Sequence, residues 1–470
     1  MSPNTNFPPC QRPENAVTER LLEHPRVTYD VDGDALVIAL KDELLVRTDA
    51  RVGSPALDEG LAGIACLRGP SRGQAAVASP AGVEVWRLTD PEADSIDHAR
   101  RLRALAPEVC VTTLDGRPLD VPAVSPNHIL VVSPKYDTCP ASPPNPLPPP
   151  HGGDFIPEDD CELSVSVVVI DTGYIETSPP HAALDARVTL VAGVWLDTSV
   201  DPPVWRPTAA DVADADEDGR LDPIAGHGTF IAGLIAHGCP EARITAVGQR
   251  HACMPIGDTS DPVDRAMLFT SEYDVANALL MNADADVVSC GFSFPVLDGY
   301  PSIPFTSVMS VLSGPDAPRP GVAVVSPAGN EDSGRPYWPA AHPDVIGVAA
   351  TNRRGNARAH FSNWGPWADC CARGEDVTST FLYWVGPLDG EPPSQIDDFV
   401  GWARWDGTSF AAPKVSAAIA RVVADSGGGL LPIDAFAQLI SGAAGVEVTP
   451  LTDVSLSGPA GVTLPHLHLG

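Results

Sequence analysis

From Leu163 onward, apolar runs with no polar face alternate with helical segments, and this alternation constrains the fold more than any other feature of the chain. Leu163 to Ile170, Arg187 to Val194, Arg243 to Val247, Asp286 to Cys290, Val322 to Ser326 and Val345 to Ala350 read as strands. Gly228 to Ala236, Tyr273 to Asn282, Thr306 to Leu312 and Ser409 to Ala424 read as helices between and after them. A strand apolar on both faces must be covered on both. The expected fold is therefore α/β, a parallel sheet with helices on each side. In such sheets, reactive groups gather at the carboxyl ends of strands and at helix starts.

A second boundary lies upstream. Residues 135–162 contain Pro140-Ala141-Ser142-Pro143-Pro144-Asn145-Pro146-Leu147-Pro148-Pro149-Pro150 and then an acidic patch. Proline removes amide donors and favours extended geometry, so this stretch reads as a linker. Ahead of it, residues 1–134 carry strand-like runs at Glu43 to Arg47, Val83 to Leu88, Val109 to Thr113 and His128 to Val132. Ile96, Ala99, Leu102 and Leu105 recur at helical spacing behind a capping Asp94 or Ser95. These elements predict a small α+β domain, an open-faced βαβ–βαβ sandwich. The large unit spans 163–445, and 446–470 read as a disordered tail that carries His466 and His468.

Three polar residues stand where the α/β pattern places chemistry. Asp171 closes the run Val168-Val169-Ile170, where a carboxylate keeps its charge only if hydrogen-bonded. His227 is framed by Gly226 and Gly228 ahead of the apolar segment Phe230 to Ala236. Ser409 opens an apolar helix within Gly407-Thr408-Ser409-Phe410-Ala411-Ala412-Pro413, where unpaired amides and the helix dipole stabilise nearby negative charge. Pro413 is read as lying in that helix's first turn, whose amides have no helical partner. A lone Asp-Thr-Gly also occurs in aspartic proteases, but their mechanism needs a second one, and none is present.

The order Asp, His, Ser, with these flanks, resembles the subtilisin-like serine proteases (subtilases, peptidase S8 family) across roughly residues 163–445. The resemblance implies a serine endopeptidase with Ser409 as nucleophile, His227 as general base and Asp171 orienting the imidazole. Ser326-Pro327-Ala328-Gly329-Asn330-Glu331 is similar to the family's oxyanion segment, which assigns Asn330 as a donor. Asp286 to Gly291 is similar to the strand that pairs with substrate, which places Ser289, Cys290 and Gly291 beside the substrate's P1 residue. Asp42 to Val46 and Ser125 to Leu130 resemble the first and last strands of the family's prodomains, which implies a zymogen restrained by its N-terminal domain. The same motifs fit a dedicated processing enzyme. A silent peptide-binding pseudoprotease is disfavoured, because every expected reactive residue is present.

Two insertions depart from compact family members. The first holds Asp214, Asp216, Asp218 and Asp222, alternating carboxylates like the first half of a calcium loop, yet Ala225 stands where that loop's final glutamate belongs. Either a structural calcium or a solvated acidic loop fits this pattern; the chemistry itself needs no cofactor. The second insertion, Glu375 to Trp405, carries Trp384, Trp402 and Trp405, read as anchors of the loop. The net charge of −32 argues against nucleic acid and anionic membranes as partners, leaving a peptide or protein substrate. The ten cysteines show no zinc spacing and read as free thiols; the adjacent pair Cys370-Cys371 could be redox-active but is read as two surface or half-buried thiols. Met1 to Gln11 has neither a basic stretch nor an apolar one, which sets the expectation of a cytoplasmic location.

Overall fold

The computed structural model describes residues 22, 24, 26–32, 35–67, 82–90, 92–113, 116–130, 141–148, 162–176, 181–198, 200, 203–208, 211–214, 217–222, 224–249, 251–252, 268–388, 391–455 and 461–469. Its centre is a sheet in which Val188–Ala192, Ala242–Gly248, Val165–Asp171, Val287–Cys290, Ala323–Pro327, Ile346–Thr351 and Cys370–Arg373 lie side by side and parallel. The expected strands are all there, with ends shifted by a residue or two.

The period-two rule of a strand explains the two covered faces. Val165, Val167 and Val169 point into one apolar layer with Phe230, Ile231, Phe410 and Val415. Val168 and Ile170 point into the opposite layer with Val275, Leu279, Phe305 and Met309. Helices His227–Gly238 and Thr408–Asp425 thus cover one face, and Glu272–Met281 and Ile303–Leu312 the other.

Pro413 departs from its sequence reading. The helix starts at Thr408, so Pro413 sits inside it, in the second turn. Having no N–H, it cannot donate to the carbonyl of Ser409 four residues earlier. The C-terminal residues depart as well. Val448–Asp453 and Val462–Leu467 form an antiparallel hairpin, and its second strand pairs with Cys370–Arg373. Burial of Leu464, His466 and Leu467 fixes this hairpin in place of a disordered tail.

Residues 27–130 build a second sheet. Its strands run Val124–Leu130, Ala35–Arg47, Val83–Leu88 and Ala65–Leu67, all antiparallel, the spatial order of a split βαβ–βαβ sandwich. Val27–Asp32 pairs with the start of the long strand, and Val109–Thr112 forms a separate hairpin with Pro118–Val121. One face packs Leu44, Val46 and Trp86 against Leu57, Leu61, Ala99 and Leu102 of its own helices. The other face presents Leu45 and Val85 to Leu196 and Tyr273 of the large unit. Leu268–Ser271 continues this sheet by pairing with Val124–Leu130, so hydrogen bonds join the two units.

Polar contacts at that junction are unusually buried. Glu272 accepts from His128 Nδ1 at 2.5 Å, from the His128 amide at 3.2 Å and from Ser302 Oγ at 2.6 Å. Glu43 accepts from Asn127 at 2.9 Å and from the Thr198 hydroxyl, and its burial raises its carboxyl above the ordinary range. At the rim, Arg100 and Arg103 meet Asp298 at 2.8 and 2.7 Å.

Candidate active site

Asp171 ends its strand and is 6% exposed. Its carboxylate accepts from His227 Nδ1 at 2.8 and 2.9 Å, one contact per oxygen, and from the Thr172 amide at 2.7 Å. A carboxylate facing Nδ1 holds the proton on that nitrogen and leaves Nε2 with its lone pair. Nε2 of His227 is buried and has no hydrogen-bond partner among the described residues.

Backbone packing explains the glycines around this pair. Gly228 lies so close to Gly173 that a β-carbon would stand 2.1 Å from the Gly173 carbonyl oxygen. Gly226 adopts φ 75°, which lets the chain turn into the helix at His227. Thr172 ties the two segments together, donating its hydroxyl to Asp211 at 2.8 Å and accepting from the Gly228 amide at 3.1 Å. Asp211 also accepts from the Gly226 amide at 3.1 Å.

Ser409 is the second residue of its helix and 4% exposed. Its hydroxyl donates to the Gly291 carbonyl at 3.1 Å. Gly291 in turn abuts Asp171, since a β-carbon there would stand 1.7 Å from Oδ2. Phe410, next to the serine, lies 5.4 Å from the His227 ring, centroid to centroid. Asp171, His227 and Ser409 therefore converge from three distant parts of the chain, with the hydroxyl resting on Gly291.

Asn330 joins them through Thr408. Its Oδ1 accepts from the Thr408 amide at 2.9 Å and from the Thr408 hydroxyl at 2.8 Å. Because that amide can only donate, the side chain's orientation is fixed, with its NH2 directed away from Thr408. The loop itself hangs on Asn363, which donates to the Ala328 carbonyl and Glu331 and accepts from the Glu331 and Ser333 amides.

The three residues placed beside P1 differ among themselves. Gly291 supplies the carbonyl at Ser409. Ser289 is buried and accepts from Ser416 at 3.0 Å. Cys290 is fully buried, and burial with the nearby Asp171 charge pushes its thiol up to about 12. Cys370 and Cys371 are likewise buried thiols raised by burial, which leaves little thiolate for redox chemistry.

In the acidic loop, Asp214 accepts the amides of Asp218 at 3.1 Å and Gly219 at 2.9 Å. Asp218 accepts the Arg220 amide at 2.9 Å, and Asp222 is buried. Asp216 lies outside the described residues, among which no group of three His, Cys, Asp or Glu is arranged to hold a metal. Arg220 reaches the Leu388 carbonyl at 3.3 Å, and the Leu221 amide donates to Pro387 at 3.0 Å. The acidic loop thus docks on the second insertion.

That insertion is the hairpin Val377–Gly386/Asp397–Trp405. Trp402 is 4.6 Å from the His181 ring, and Trp384 packs on the core. Trp405 is fully buried and edge-on to His227, centroids 5.6 Å apart. Sequence reasoning passed over Thr172, Asp211, Asn363 and Thr408, and read Trp405 only as an anchor. Their polar members left no signal beyond adjacency to a motif, as Thr172 and Thr408 do.

The model of the subtilase family matches residues 163–446. An extracellular protease of Xanthomonas campestris pv. campestris is 30% identical over 273 residues, 54% of this chain and 43% of its own length. The minor extracellular protease Epr of Bacillus subtilis is 29% identical over 163 residues, 33% of this chain and 22% of its own. The chain spans about half or less of the length of these relatives. Among solved structures, fervidolysin from Fervidobacterium pennivorans, a keratinolytic enzyme related to subtilisin, shares the fold with TM-score 0.52 and 16% identity, covering 88% of this chain and 58% of its own. The extracellular relatives contradict the cytoplasmic location expected from the first residues.

Proposed function

Because the chain belongs to the subtilase family, we propose that it is a secreted serine endopeptidase working through Asp171, His227 and Ser409. The observation that carries this reading is the buried Asp171–His227 pair, which leaves Nε2 without a partner among the described residues, in a ring whose centroid lies 5.4 Å from that of Phe410, the residue after Ser409.

A rotation about the Ser409 side chain moves its proton from the Gly291 carbonyl to Nε2 of His227. The oxygen then attacks a peptide carbonyl, and Asp171 stabilises the imidazolium that forms. The tetrahedral oxyanion is received by the Ser409 amide, in the unpaired first turn of its helix, and by the Asn330 NH2. His227 returns the proton to the leaving amine, and water repeats the sequence in reverse to free the acyl group and the enzyme.

Residues 27–130 act as the restraint. Their sheet is docked on the large unit by Glu272, which accepts from His128, and by Glu43, which accepts from the Thr198 hydroxyl. The described chain resumes at Ala141, whose amide donates to the Asp406 carbonyl at 3.1 Å, three residues before the serine. A fluorophosphonate probe is expected to label wild type at Ser409 and to leave Ser409→Ala unlabelled. Labelling that survives the substitution removes the assignment.

A further inference from the structure

Residues 141–148 of the proline-rich segment are built into the large unit rather than merely leading to it. Asn145–Pro146 adds a third strand to the hairpin, with Asn145 opposite Arg404 and Pro146 opposite Ala403. The Ala141 amide donates to the Asp406 carbonyl at 3.1 Å and the Leu147 amide to the Trp402 carbonyl at 3.3 Å. Between these anchors the Ser142 carbonyl accepts from the indole Nε1 of Trp405 at 2.5 Å.

Trp405 is where this strand meets the proposed chemistry. Its ring is fully buried, with ring centroids 5.6 Å from His227, 5.7 Å from Phe230, 5.7 Å from Phe381 and 5.3 Å from Phe410. His227 and Phe230 share a helix, and Phe410 follows Ser409. One side chain therefore touches the base, the base's helix and the nucleophile's neighbour. Its only polar atom is the indole N–H, for which a buried tryptophan usually finds an acceptor. Here the acceptor comes from the proline-rich strand.

We propose that Trp405 is a positioning residue for His227 and that residues 141–147 hold it in place, so that this strand belongs to the working enzyme. This rests on the reading of His227 as the base. It follows that a maturation cut compatible with activity falls ahead of Ala141. A cut beyond Leu147 would leave the strand with the N-terminal region and strip the indole of its acceptor. The prolines suit the role: they keep the segment extended before it docks and lower the entropy lost on pairing.

Two full-length variants test this, with rates normalised by fluorophosphonate titration of active sites. Trp405→Phe keeps a large ring and removes the N–H; it is expected to lower kcat roughly tenfold with KM unchanged, as for a base displaced by a fraction of an ångström. Leu147→Pro leaves every residue around His227 intact and deletes a strand hydrogen bond. It is expected to lower kcat about threefold in the parent chain and to have no further effect in Trp405→Phe, since both act through one ring. Sequencing the active species is expected to find its N terminus at or ahead of Ala141. Rates within twofold of wild type for both variants, or an active form starting after Leu147, would overturn the proposal. Failure of wild type to label at Ser409 would instead defeat the endopeptidase reading on which it rests.

Discussion

Gly291→Ala isolates the part of the site that can be reasoned about most sharply. A β-carbon at 291 would lie 1.7 Å from Asp171 Oδ2, 2.8 Å from its Cγ and 3.1 Å from Ile231 Cδ1. A methyl carbon and a carboxylate oxygen need more than about 3 Å, so the carboxylate or the strand must give way by over about 1 Å. The carboxylate has nowhere to go without stretching its contacts to His227 Nδ1 at 2.8 and 2.9 Å. Misplacing a reacting group by about 1 Å costs on the order of 10²-fold, and losing the orienting aspartate altogether about 10⁴-fold. The expected fall in kcat therefore lies between roughly 10² and 10⁴, or about 3–5 kcal/mol of transition-state stabilisation.

The assay is kcat on a chromogenic peptide, with thermal melting to confirm the fold. Asp171→Ala and the double variant complete a cycle. If the methyl acts through Asp171, Gly291→Ala adds nothing once the carboxylate is gone. A folded Gly291→Ala enzyme with kcat within about threefold of wild type refutes the reasoning. So does a double variant slowed by the product of the two single effects, since that places the damage at the Ser409 contact instead.

Further predictions concern the junction and the C-terminal hairpin, both in a Ser409→Ala background to prevent self-cleavage. Glu272→Ala leaves His128 Nδ1, the His128 amide and the Ser302 hydroxyl without their buried acceptor. Breaking such a buried set costs about 3–5 kcal/mol, and the expected result is separate melting of the N-terminal unit, read by calorimetry. A single unchanged transition would exclude Glu272 as the anchor. His466 is buried beside His468, and burial lowers it to about 4. Because the unfolded chain takes up this proton near pH 6.5 and the folded one only near 4, its penalty is absent above pH 6.5 and grows as pH falls to 4. The full difference is at most about 3 kcal/mol. His466→Phe should flatten denaturant midpoints over that interval relative to the parent; parallel curves would remove His466 as the cause.

How much of this was legible in the sequence depends on the kind of interaction. Val165 to Asp171 announced its strand and its two covered faces because Val167 to Ile170 is an unbroken apolar run, and the ladder on both sides confirms that pattern. Asp171, His227, Ser409 and Asn330 were legible because each sits in a short motif with small neighbours. Thr172 to Asp211 and Asn363 to Glu331 were not, since those pairings are set by tertiary approach between residues about thirty to forty apart. The C-terminal hairpin was missed for a related reason. Val462 to Leu467 alternates weakly, and its partner Cys370–Arg373 lies far upstream. Pro413 misled because its place near the serine reads as the first turn, whereas counted from either Thr408 or Ser409 it lies beyond the amides that lack a helical partner.

The two insertions and the proline-rich strand look unrelated along the chain, yet in space they form one continuous support. Asp214 ties the acidic loop by accepting the Gly219 amide, and Arg220 and Leu221 fasten that loop to residues 387–388 at the hairpin's tip. The hairpin's own strands carry Phe381 and Trp405 inward, and Asn145–Pro146 closes its outer edge. The hairpin brings Trp405 against the His227 ring, centroids 5.6 Å apart, while Asp171 holds Nδ1. Asp171 fixes the imidazole by charge and direction at Nδ1, and this support fixes it by packing at the ring's edge. A single hydrogen-bonded atom leaves a ring free to tilt about that contact; a packed edge removes the tilt. If His227 is the base proposed above, the departures from the compact fold share one physical task, which is to hold its ring still beside the helix of Ser409.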